Sequence, residues 1–254
     1  MHRFFVPPHA IAGRQVTFDA GQARQLLAVL RLRVGDQVVV LDNRGGCFRT
    51  ELIVLNKRQA VGRILEVLEA PSEPAGELVL CQALTRNDRF EWILQKGVEL
   101  GVTHFWPMLT RRTVARPPGS AKWERWQRIL REAAEQCGRS RIPSLAEPRP
   151  YAELLGVAPG MRLLPTVVAS RPVSLALEHP SWPVTLFIGP EGGFDPEEVE
   201  QARTAGVDLV SLGPRTLRSE TAALALITLT VYALGELSQP GPRASGPPAP
   251  SPEP

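Results

Sequence analysis

The sequence predicts two domains of different class: a small β-barrel or sandwich, followed by an α/β domain with a largely parallel sheet. Three observations support this division. The first 70 residues contain short β-branched segments separated by turn signals. A stretch with two prolines and a glycine follows at residues 69–77. After it, strand-like and helix-like segments alternate, which is typical of a parallel sheet with crossover helices.

The first domain has four segments with the β-branched content of strands: "RQVTF", "DQVVVLD", "CFRTELIVL" and "AVGRILEVLE". The turns "RVGD" and "NRGG" separate them, and one helix is expected from about Gly21 to Leu30. The segment "EAPSEPAGE", residues 69–77, is the best linker candidate in the chain. We therefore place the first domain at residues 1–72.

The second domain begins with the strand-like "ELVLCQAL" and the amphipathic helix "RFEWILQKGVELG", and further strands are expected at "VTHFWPML", "MRLLPTVV", "VTLFIG" and "VDLVSLG". A long helix, "SAKWERWQRILREAAEQCG", has Ser120 as its expected N-cap and Gly138 as its C-cap. Trp123 and Trp126 have helical spacing and are expected in the core rather than on a base-stacking surface. This alternation predicts an α/β domain over residues 73–238.

The end of the chain combines an apolar helix with a polar tail. The helix "TAALALITLTVYALGEL", beginning near Thr221, is apolar on nearly every face. Thr228 and Thr230 interrupt it and it barely reaches spanning length, so burial in a domain or at a subunit interface is favoured over a membrane span. Residues 239–254 are mostly Pro, Gly, Ser and Ala and are predicted to be disordered.

The charge of this chain is concentrated in one segment. The formal net charge is only +3, with 22% charged residues. Residues 85–141 contain 12 lysines and arginines against 6 acidic residues, a local charge of +6. A basic surface of this kind indicates a polyanionic partner such as nucleic acid, and solvated arginines on a helix face are the alternative.

The cysteines and histidines point to no metal site. Cys47, Cys81 and Cys137 are far apart without a CxxC motif, which indicates reduced thiols in the cytosol rather than a disulfide framework or structural zinc. The four histidines are scattered as well. Prolines interrupt the N-terminal "MHRFFVPPHA" where a signal peptide needs an apolar core. We expect a cytoplasmic protein with no membrane partner.

A glycine-rich turn follows the strand "VTLFIG" and opens a helix, in "VTLFIGPEGGFDPEE". Asp195 suits the N-cap, Pro196 the first helical position and Glu198 the third, where it completes a capping box. Together with Glu197, these carboxylates crowd the amides that a phosphate would need. The loop therefore suits a neutral or cationic ligand, such as an adenosine carrying a sulfonium, unless its glycines only form turns.

A second loop repeats this arrangement in "SLGPRTLRSETAALAL". A strand ends at Leu212, Gly213 follows, and a polar loop leads into the apolar helix. Two such loops at neighbouring strand ends of a parallel sheet define one crevice. We predict one shared site.

The motifs "FIGPEGGFDPEE" and "LGPRTLRSETAALALI" together resemble the signature of the SPOUT methyltransferases. With "RFFVP", "VLRLRVGD", "QKGVELGV" and "EAAEQCGRSRIP", the chain is similar to the small-subunit methyltransferase E family, which methylates N3 of a uridine in 16S ribosomal RNA. The resemblance covers nearly the whole chain except the tail. It implies a PUA-like RNA-binding β-barrel, a trefoil-knotted α/β methyltransferase domain, S-adenosylmethionine as cofactor, and a homodimer acting on 16S ribosomal RNA or the small subunit.

The resemblance also implies a set of cofactor contacts in the two loops. The first loop matches the family at Ile188, Gly189, Glu191, Gly192 and Gly193. The second matches at Leu212, Gly213, Leu217, Arg218, Glu220 and Ala222. Leu164 and Pro165, at the end of the preceding strand, complete the predicted pocket.

Two residues are predicted to carry the chemistry. Uridine N3 is largely protonated at neutral pH, so the enzyme has to help remove that proton or stabilise the resulting anion. Arg218 is predicted to stabilise the anion, because a guanidinium keeps its charge and reaches a uracil oxygen or a phosphate. Glu220 is the nearest candidate base, and a helix-start carboxylate bonded to the backbone is its alternative role.

RNA contacts are expected from arginines of both domains: Arg3, Arg31 and Arg33 in the first, and Arg111, Arg112, Arg139 and Arg141 in the second. Phe4 and Phe5 are expected in the barrel core, with base stacking as the alternative. The chain departs from the family near Gln25, where a histidine is common, and this affects one RNA contact. Gly97 and Val98 also replace the usual alanine and threonine, which affects only packing.

Three other functions fit part of the pattern. A SPOUT enzyme acting on transfer or large-subunit RNA keeps the chemistry but changes the substrate. An RNA-binding assembly factor without catalysis keeps only the basic surface. A nicotinamide dehydrogenase is disfavoured by the acidic helix start and by the missing GxGxxG fingerprint.

Overall fold

The computed structural model describes residues 1–69, 73–86 and 88–238, and these residues form two separate sheets in chain order. The predicted tail at residues 239–254 lies outside the described residues, as does part of the predicted linker. The boundary placed between residues 72 and 73 therefore stays a prediction.

The first sheet has six strands in the order β1-β4-β5-β6-β3-β2. Its strands are β1 Arg3–Phe5, β2 Ile11–Ala12, β3 Gln15–Phe18, β4 Gln37–Leu41, β5 Cys47–Leu55 and β6 Ala60–Val67. Only the β1–β4 pair is parallel among them. The predicted helix is present as α1, Ala20–Arg24, which continues into a π-helical turn at Gln25–Val29.

Strands β1 and β4 are buried on both faces, which explains the uninterrupted apolar run "VVVL". Phe4, Val38 and Val40 pack in the core of the first domain. Phe5 and Val39 belong instead to a cluster shared with the second domain. The core placement of Phe4 and Phe5 is confirmed, because rings only 2% and 1% exposed do not offer a face to a base.

The second sheet is entirely parallel, as predicted, with the order β10-β8-β7-β12-β11-β13 and β9 also paired to β8. Its strands are β7 Leu78–Ala83, β8 His104–Leu109, β9 Ser144–Leu145, β10 Arg149–Pro150, β11 Met161–Pro165, β12 Val184–Ile188 and β13 Asp208–Val210. The central strands β7 and β12 are buried along their whole length. Helices cover both faces, as a parallel sheet requires.

The helices of the second domain are α2 Arg89–Glu99, α3 Ser120–Cys137, α4 Tyr151–Val157, α5 Val173–Ala176, α6 Pro196–Thr204 and α7 Ser219–Ala233. Short 3-10 turns lie at Pro8–Ala10 and Glu236–Ser238. Helices α2, α3 and α7 share one apolar cluster with the sheet. Helices α4 and α6 share a second cluster with other strand residues, so the domain has three layers.

Helix α3 confirms the core placement of its tryptophans. Trp126 is 1% exposed, and Trp123 packs against the same cluster. Gly138 is the C-cap residue with a φ of +88°, in the left-handed region that glycine tolerates best. The predicted N-cap was wrong by one position, since Gly119 is the N-cap and Ser120 is the first helical residue.

Helix α7 packs on the sheet through one face and is exposed on the other. Leu226 and Ile227 are fully buried, whereas Leu229 and Tyr232 are 40% and 68% exposed. None of the helices in the described part of the chain combines the length and apolar character that a bilayer crossing needs. Burial against the sheet, which the sequence favoured, is thus confirmed for one face of α7.

Arg139 is a structural residue, so its prediction as an RNA contact was wrong. It is 7% exposed, and its guanidinium donates to Glu73 at 2.7 and 3.0 Å and to the Val102 carbonyl at 2.6 Å. The N–H groups of Ser140 and Arg141 donate to the other Glu73 oxygen. The segment predicted as a linker is therefore fixed to the second domain at Glu73.

Candidate active site

The first glycine loop joins β12 to α6 and turns tightly. At Gly189, an added Cβ atom would lie 3.1 Å from the Phe194 ring. Gly193 has a φ of +67°, and its N–H donates to the Pro190 carbonyl at 2.9 Å. An added Cβ at Gly193 would meet open space, so the backbone here is accessible to a ligand.

The capping box predicted at the start of α6 is confirmed. The Asp195 carboxylate accepts from the Glu197 N–H at 3.1 Å, and the Glu198 carboxylate accepts from the Asp195 N–H at 2.9 Å. Pro196 is the first helical residue, as expected. Carboxylates therefore occupy amides at this helix start, which disfavours a bound phosphate.

Two arginines that follow β8 compensate part of this negative charge. Arg111 contacts Glu197 at 2.5 Å, and Arg112 contacts Asp195 at 3.3 Å and the Gly192 carbonyl at 3.1 Å. The hydrogen bond to Glu197 is the main cause of the raised pKa of Arg111. Both side chains are about half exposed. Their contact with RNA stays a prediction, and it would compete with these carboxylates.

The second glycine loop follows β13 and leads into α7. Gly213 has a φ of +101°, and Arg218 is the N-cap residue of α7. The expectation of neighbouring strand ends was wrong, because β11 lies between β12 and β13. The loops nevertheless meet, since the Ser219 hydroxyl donates to the Gly189 carbonyl at 2.6 Å.

The end of β11 lies between the strands that lead into the two loops. Leu164 and Ile188 are at most 1% exposed as whole residues, so their cofactor contacts stay predictions. Pro165 is partly exposed. The other predicted cofactor contacts are at least partly exposed on the two loops and the start of α7: Gly189, Glu191, Gly192, Gly193, Leu212, Gly213, Leu217, Arg218, Glu220 and Ala222.

Charged side chains join the two loops on the outer side of the site. Arg89, the first residue of α2, contacts Glu191 at 3.4 Å and Glu220 at 3.7 Å. The Arg86 N–H also donates to Glu191, at 3.1 Å. The Glu220 side chain is only 15% exposed, and its Oε2 has no hydrogen-bond partner among the described residues. This oxygen is also buried, and a proton or an N–H group of a ligand would supply the hydrogen-bond partner that it lacks.

Sequence reasoning missed two residues of this site. Gln82, near the end of β7, donates to the Ser219 hydroxyl at 3.0 Å. Arg89 bridges the two acidic side chains described above. An amide inside the apolar strand "LVLCQAL" is the signal that marks Gln82, because buried polar groups require partners. Arg89 carries no comparable signal, since an arginine at a helix start is common.

The remaining predicted RNA contacts lie outside the two loops. Arg3 donates to the Gln136 carbonyl at 3.3 Å and so lies at the domain junction. Arg141 is exposed and donates to a carbonyl in the β4–β5 connection. Arg31 and Arg33 are exposed on the first domain. The RNA contacts of these four arginines stay predictions.

Metal-binding groups are not assembled in the described ranges of the chain. No three His, Cys, Asp or Glu side chains of those ranges are grouped as metal ligands. All three cysteines are unpaired, and burial raises the pKa of each thiol. None of them has the lowered pKa of a reactive thiolate.

Comparison with known proteins decides the family. The family described as "RNA methyltransferase domain" matches residues 71–231, and "RNA methyltransferase PUA domain" matches residues 19–65. The chain belongs to this RNA methyltransferase family. The predicted combination of a PUA-like domain with a SPOUT methyltransferase domain is thereby confirmed, while the trefoil knot stays a prediction.

Several members of the family are similar to the chain over most of its length. Ribosomal RNA small subunit methyltransferase E of Synechocystis is 36% identical over 227 residues, covering 87% of this chain and 74% of the relative. The crystal structure of the Neisseria gonorrhoeae enzyme of that name, bound to S-adenosyl methionine, has a TM-score of 0.84 at 33% identity and covers 93% and 98% of the two chains. A putative methyltransferase from Legionella pneumophila with bound cofactor SAM has a TM-score of 0.83 at 30% identity, covering 91% and 97%.

Proposed function

We propose that this chain transfers a methyl group from S-adenosylmethionine to N3 of a specific uridine in 16S ribosomal RNA. The observation that carries the proposal is the junction of the two glycine loops at the Ser219–Gly189 hydrogen bond, beside the carboxylates of Glu191 and Glu220. Relatives named ribosomal RNA small subunit methyltransferase E, one of them solved with bound S-adenosyl methionine, supply the substrate class.

The site suits this cofactor rather than a nucleotide phosphate. Gly193 and Gly213 leave open space at their Cα atoms, so the loop backbone can approach a ligand closely. Glu191 and Glu220 supply negative charge for a sulfonium and an ammonium group. The backbone of the loop glycines would hold the adenosine, and the bound cofactor supplies a methyl group activated by the positive sulfur.

Arg218 stabilises the negative charge that develops on the uracil when N3 loses its proton. Its side chain is exposed at the start of α7 and is in no ion pair among the described residues. A guanidinium there is free to donate to a uracil oxygen. Arg89, by contrast, is engaged with two carboxylates and is not available for this task.

Glu220 takes the N3 proton. The alternative role, a carboxylate hydrogen-bonded to the start of α7, lacks support, because Oε2 has no hydrogen-bond partner in the described ranges. Oε1 lies 3.7 Å from Arg89, too far for a strong hydrogen bond. Glu220 therefore keeps an acceptor oxygen for the substrate proton.

The first domain and the basic loops bind the RNA. Arg31 and Arg33 offer exposed guanidinium groups for phosphates, and Arg111 and Arg112 lie beside the first glycine loop. Phosphate contacts of this kind position RNA without reading its sequence. An enzyme acting on ribosomal RNA of this class would work in the cytoplasm.

The functional unit is a homodimer joined through α7. Leu229 and Tyr232 are exposed on a helix whose opposite face is already buried against the sheet. An apolar outer face on such a helix is typical of a subunit interface. A second copy of the chain is the occupant that the family resemblance implies.

One assay tests the activity and the substrate together. Labelled methyl is transferred from S-adenosylmethionine to small subunits, naked 16S ribosomal RNA and transfer RNA, each isolated from a strain lacking the gene, and the product is mapped by mass spectrometry. We expect 3-methyluridine in 16S ribosomal RNA only. Label in transfer RNA alone would overturn the substrate, and absence of both transfer and calorimetric cofactor binding would favour a non-catalytic assembly factor.

A further inference from the structure

The Ser219–Gly189 hydrogen bond between the two glycine loops continues to Gln82, a residue to which the proposed chemistry gives no role. Gln82 Nε2 donates to the Ser219 hydroxyl at 3.0 Å, and that hydroxyl donates to the Gly189 carbonyl at 2.6 Å. Gln82 is 1% exposed and Ser219 is 6% exposed. This relay connects the end of β7, the start of the first glycine loop and the first residue of α7.

The direction of each hydrogen bond in the relay is fixed. The Gly189 carbonyl only accepts, so the Ser219 hydroxyl must give its single proton to it. The Ser219 oxygen then accepts from Gln82, whose amide nitrogen also donates to the Ala83 carbonyl at 2.9 Å. Both protons of the Gln82 amide are thus used, and a flipped amide would place its oxygen against the Ala83 carbonyl.

Among the residues that the structure describes, this relay is a buried connection between the loops. The other connection runs through Arg89, whose contacts with Glu191 and Glu220 are longer, at 3.4 and 3.7 Å, and whose side chain is 39% exposed. Ion pairs of that exposure contribute little to positioning. Short buried hydrogen bonds are more directional, because water does not compete for the groups.

Ser219 lies between the two residues proposed to act on the uracil, Arg218 and Glu220. Fixing the Ser219 hydroxyl against Gly189 therefore fixes the distance from those two side chains to the first glycine loop. That loop is where the methyl donor is expected. Methyl transfer is sensitive to this distance, since a misplacement of about 1 Å can lower a rate by roughly 100-fold.

We propose that Gln82 is a positioning residue for methyl transfer: through Ser219 it holds α7 and the first glycine loop in the spacing that the reaction needs. This inference rests on the proposed function. Gln82 acts through Ser219 and does not itself touch the reacting atoms. The binding surfaces of the cofactor and the RNA remain present without it, so its loss affects the chemical step first.

The test compares Gln82→Met, Ser219→Ala and the double variant in the full-length protein. Methionine keeps the length of the side chain but donates no hydrogen bond. We expect each single variant to lower kcat by about 10- to 100-fold, while the calorimetric Kd for S-adenosylmethionine and the KM for small subunits stay within about 3-fold of wild type. The kcat of the double variant should be no lower than that of the more impaired single variant, because both substitutions break the same relay.

Thr230→Val is the matched control, since Thr230 is a fully buried residue of the same helix whose hydroxyl has no partner among the described residues. It should leave kcat unchanged. An unchanged kcat in Ser219→Ala, or a cofactor Kd that weakens in step with kcat, would overturn the positioning role, even if Gln82→Met fails to fold. Absence of methyl transfer by the wild-type protein would instead overturn the proposed function, and the inference with it.

Discussion

Glu220 combines burial, a nearby cation and an unused oxygen. Its side chain is 15% exposed, Arg89 lies 3.7 Å from Oε1, and Oε2 has no partner in the part of the chain that the structure describes. A carboxylate that only stabilised the start of α7 would accept hydrogen bonds from backbone N–H groups. Glu220 is therefore the residue at which acid–base catalysis is tested most directly.

We expect Glu220→Gln to lower kcat by about 10²- to 10⁴-fold at neutral pH, because an amide cannot accept the N3 proton. The rate of the variant should recover as the pH approaches the pKa of uridine N3, where the substrate ionises unaided. A pH–rate profile on small subunits measures both effects. Glu200→Gln, an exposed charge removal on α6, is the control. Wild-type turnover by Glu220→Gln would assign Glu220 a structural role.

Arg218 is expected to act on the transition state rather than on the cofactor. Arg218→Ala should lower kcat by about 10²- to 10³-fold, the usual cost of removing one donor to a developing anion, and leave the S-adenosylmethionine Kd near wild type. Single-turnover kinetics and calorimetry separate the two quantities. Arg215→Ala, at an exposed position of the same loop, is the control. Equal losses in rate and affinity would make Arg218 a cofactor residue.

At the residue scale, sequence patterns succeeded where the interaction is local. The capping box from Asp195 to Glu198 spans four residues, so its spacing predicts its hydrogen bonds. Arg139 was misassigned because its partners are distant in sequence, with Glu73 66 residues away and Val102 37 residues away. Periodicity does not report contacts of that separation, and a buried arginine looks like a solvated one in the sequence.

At the scale of elements, the start of α6 directly follows the first glycine loop and anchors it through Asp195. Asp195 caps the helix and also contacts Arg112, so one side chain joins α6 to the segment after β8. We expect Asp195→Ala to lower the free energy of unfolding by about 1 kcal/mol through loss of the cap. Asp195→Asn keeps a capping oxygen and should lose less.

Urea denaturation of the two variants measures this difference. The slope of the unfolding free energy against urea concentration should be the same in both variants as in the wild-type protein, because the surface exposed on unfolding is the same. Equal destabilisation by alanine and asparagine would show that the contact with Arg112, rather than the cap, carries the stabilisation. The cofactor Kd, measured in parallel, reports whether the loop above the helix has moved.

Element types were predictable, but element order was not. The strands of the second domain were recognised from their apolar runs, because a strand in a parallel sheet is buried on both faces. Their order places β11 between β12 and β13, against the expectation that the two loop-bearing strands are neighbours. Strand order depends on crossover connections, which leave no periodic mark in the sequence.

At the scale of the whole molecule, side chains of α3 form hydrogen bonds with the backbone of Phe5 and so connect the two domains. The Glu135 carboxylate accepts from the Phe5 N–H at 2.9 Å, while Arg131 and Gln22 donate to the Phe5 carbonyl at 3.3 and 2.8 Å. Burial is the main reason that the pKa of Glu135 is raised. The junction thus holds a carboxylate whose charged form is disfavoured by the fold.

Two substitutions at Glu135 separate the stabilising effect of its hydrogen bond to Phe5 from the destabilising effect of its buried charge. Glu135→Ala leaves the Phe5 N–H without its acceptor and should cost about 1–3 kcal/mol of unfolding free energy. Glu135→Gln keeps an acceptor without the charge, so it should be more stable than wild type at neutral pH. Because the folded pKa is raised, wild type gains relative to this variant as the pH falls through the folded pKa to below the unfolded one. Thermal unfolding across pH checks the sign, and a Gln variant less stable than wild type at neutral pH would contradict it.

The proposed homodimer depends on one face of α7. Leu229 and Tyr232 are 40% and 68% exposed on α7, so we expect Tyr232→Asp to place a charge in the subunit interface and weaken association at least 100-fold, as burying an unpaired charge is costly. Val157→Asp, at an exposed position on α4 across the sheet, should leave association unchanged. Sedimentation velocity over a concentration series measures both. A wild-type protein that stays monomeric at every concentration would contradict the proposed homodimer.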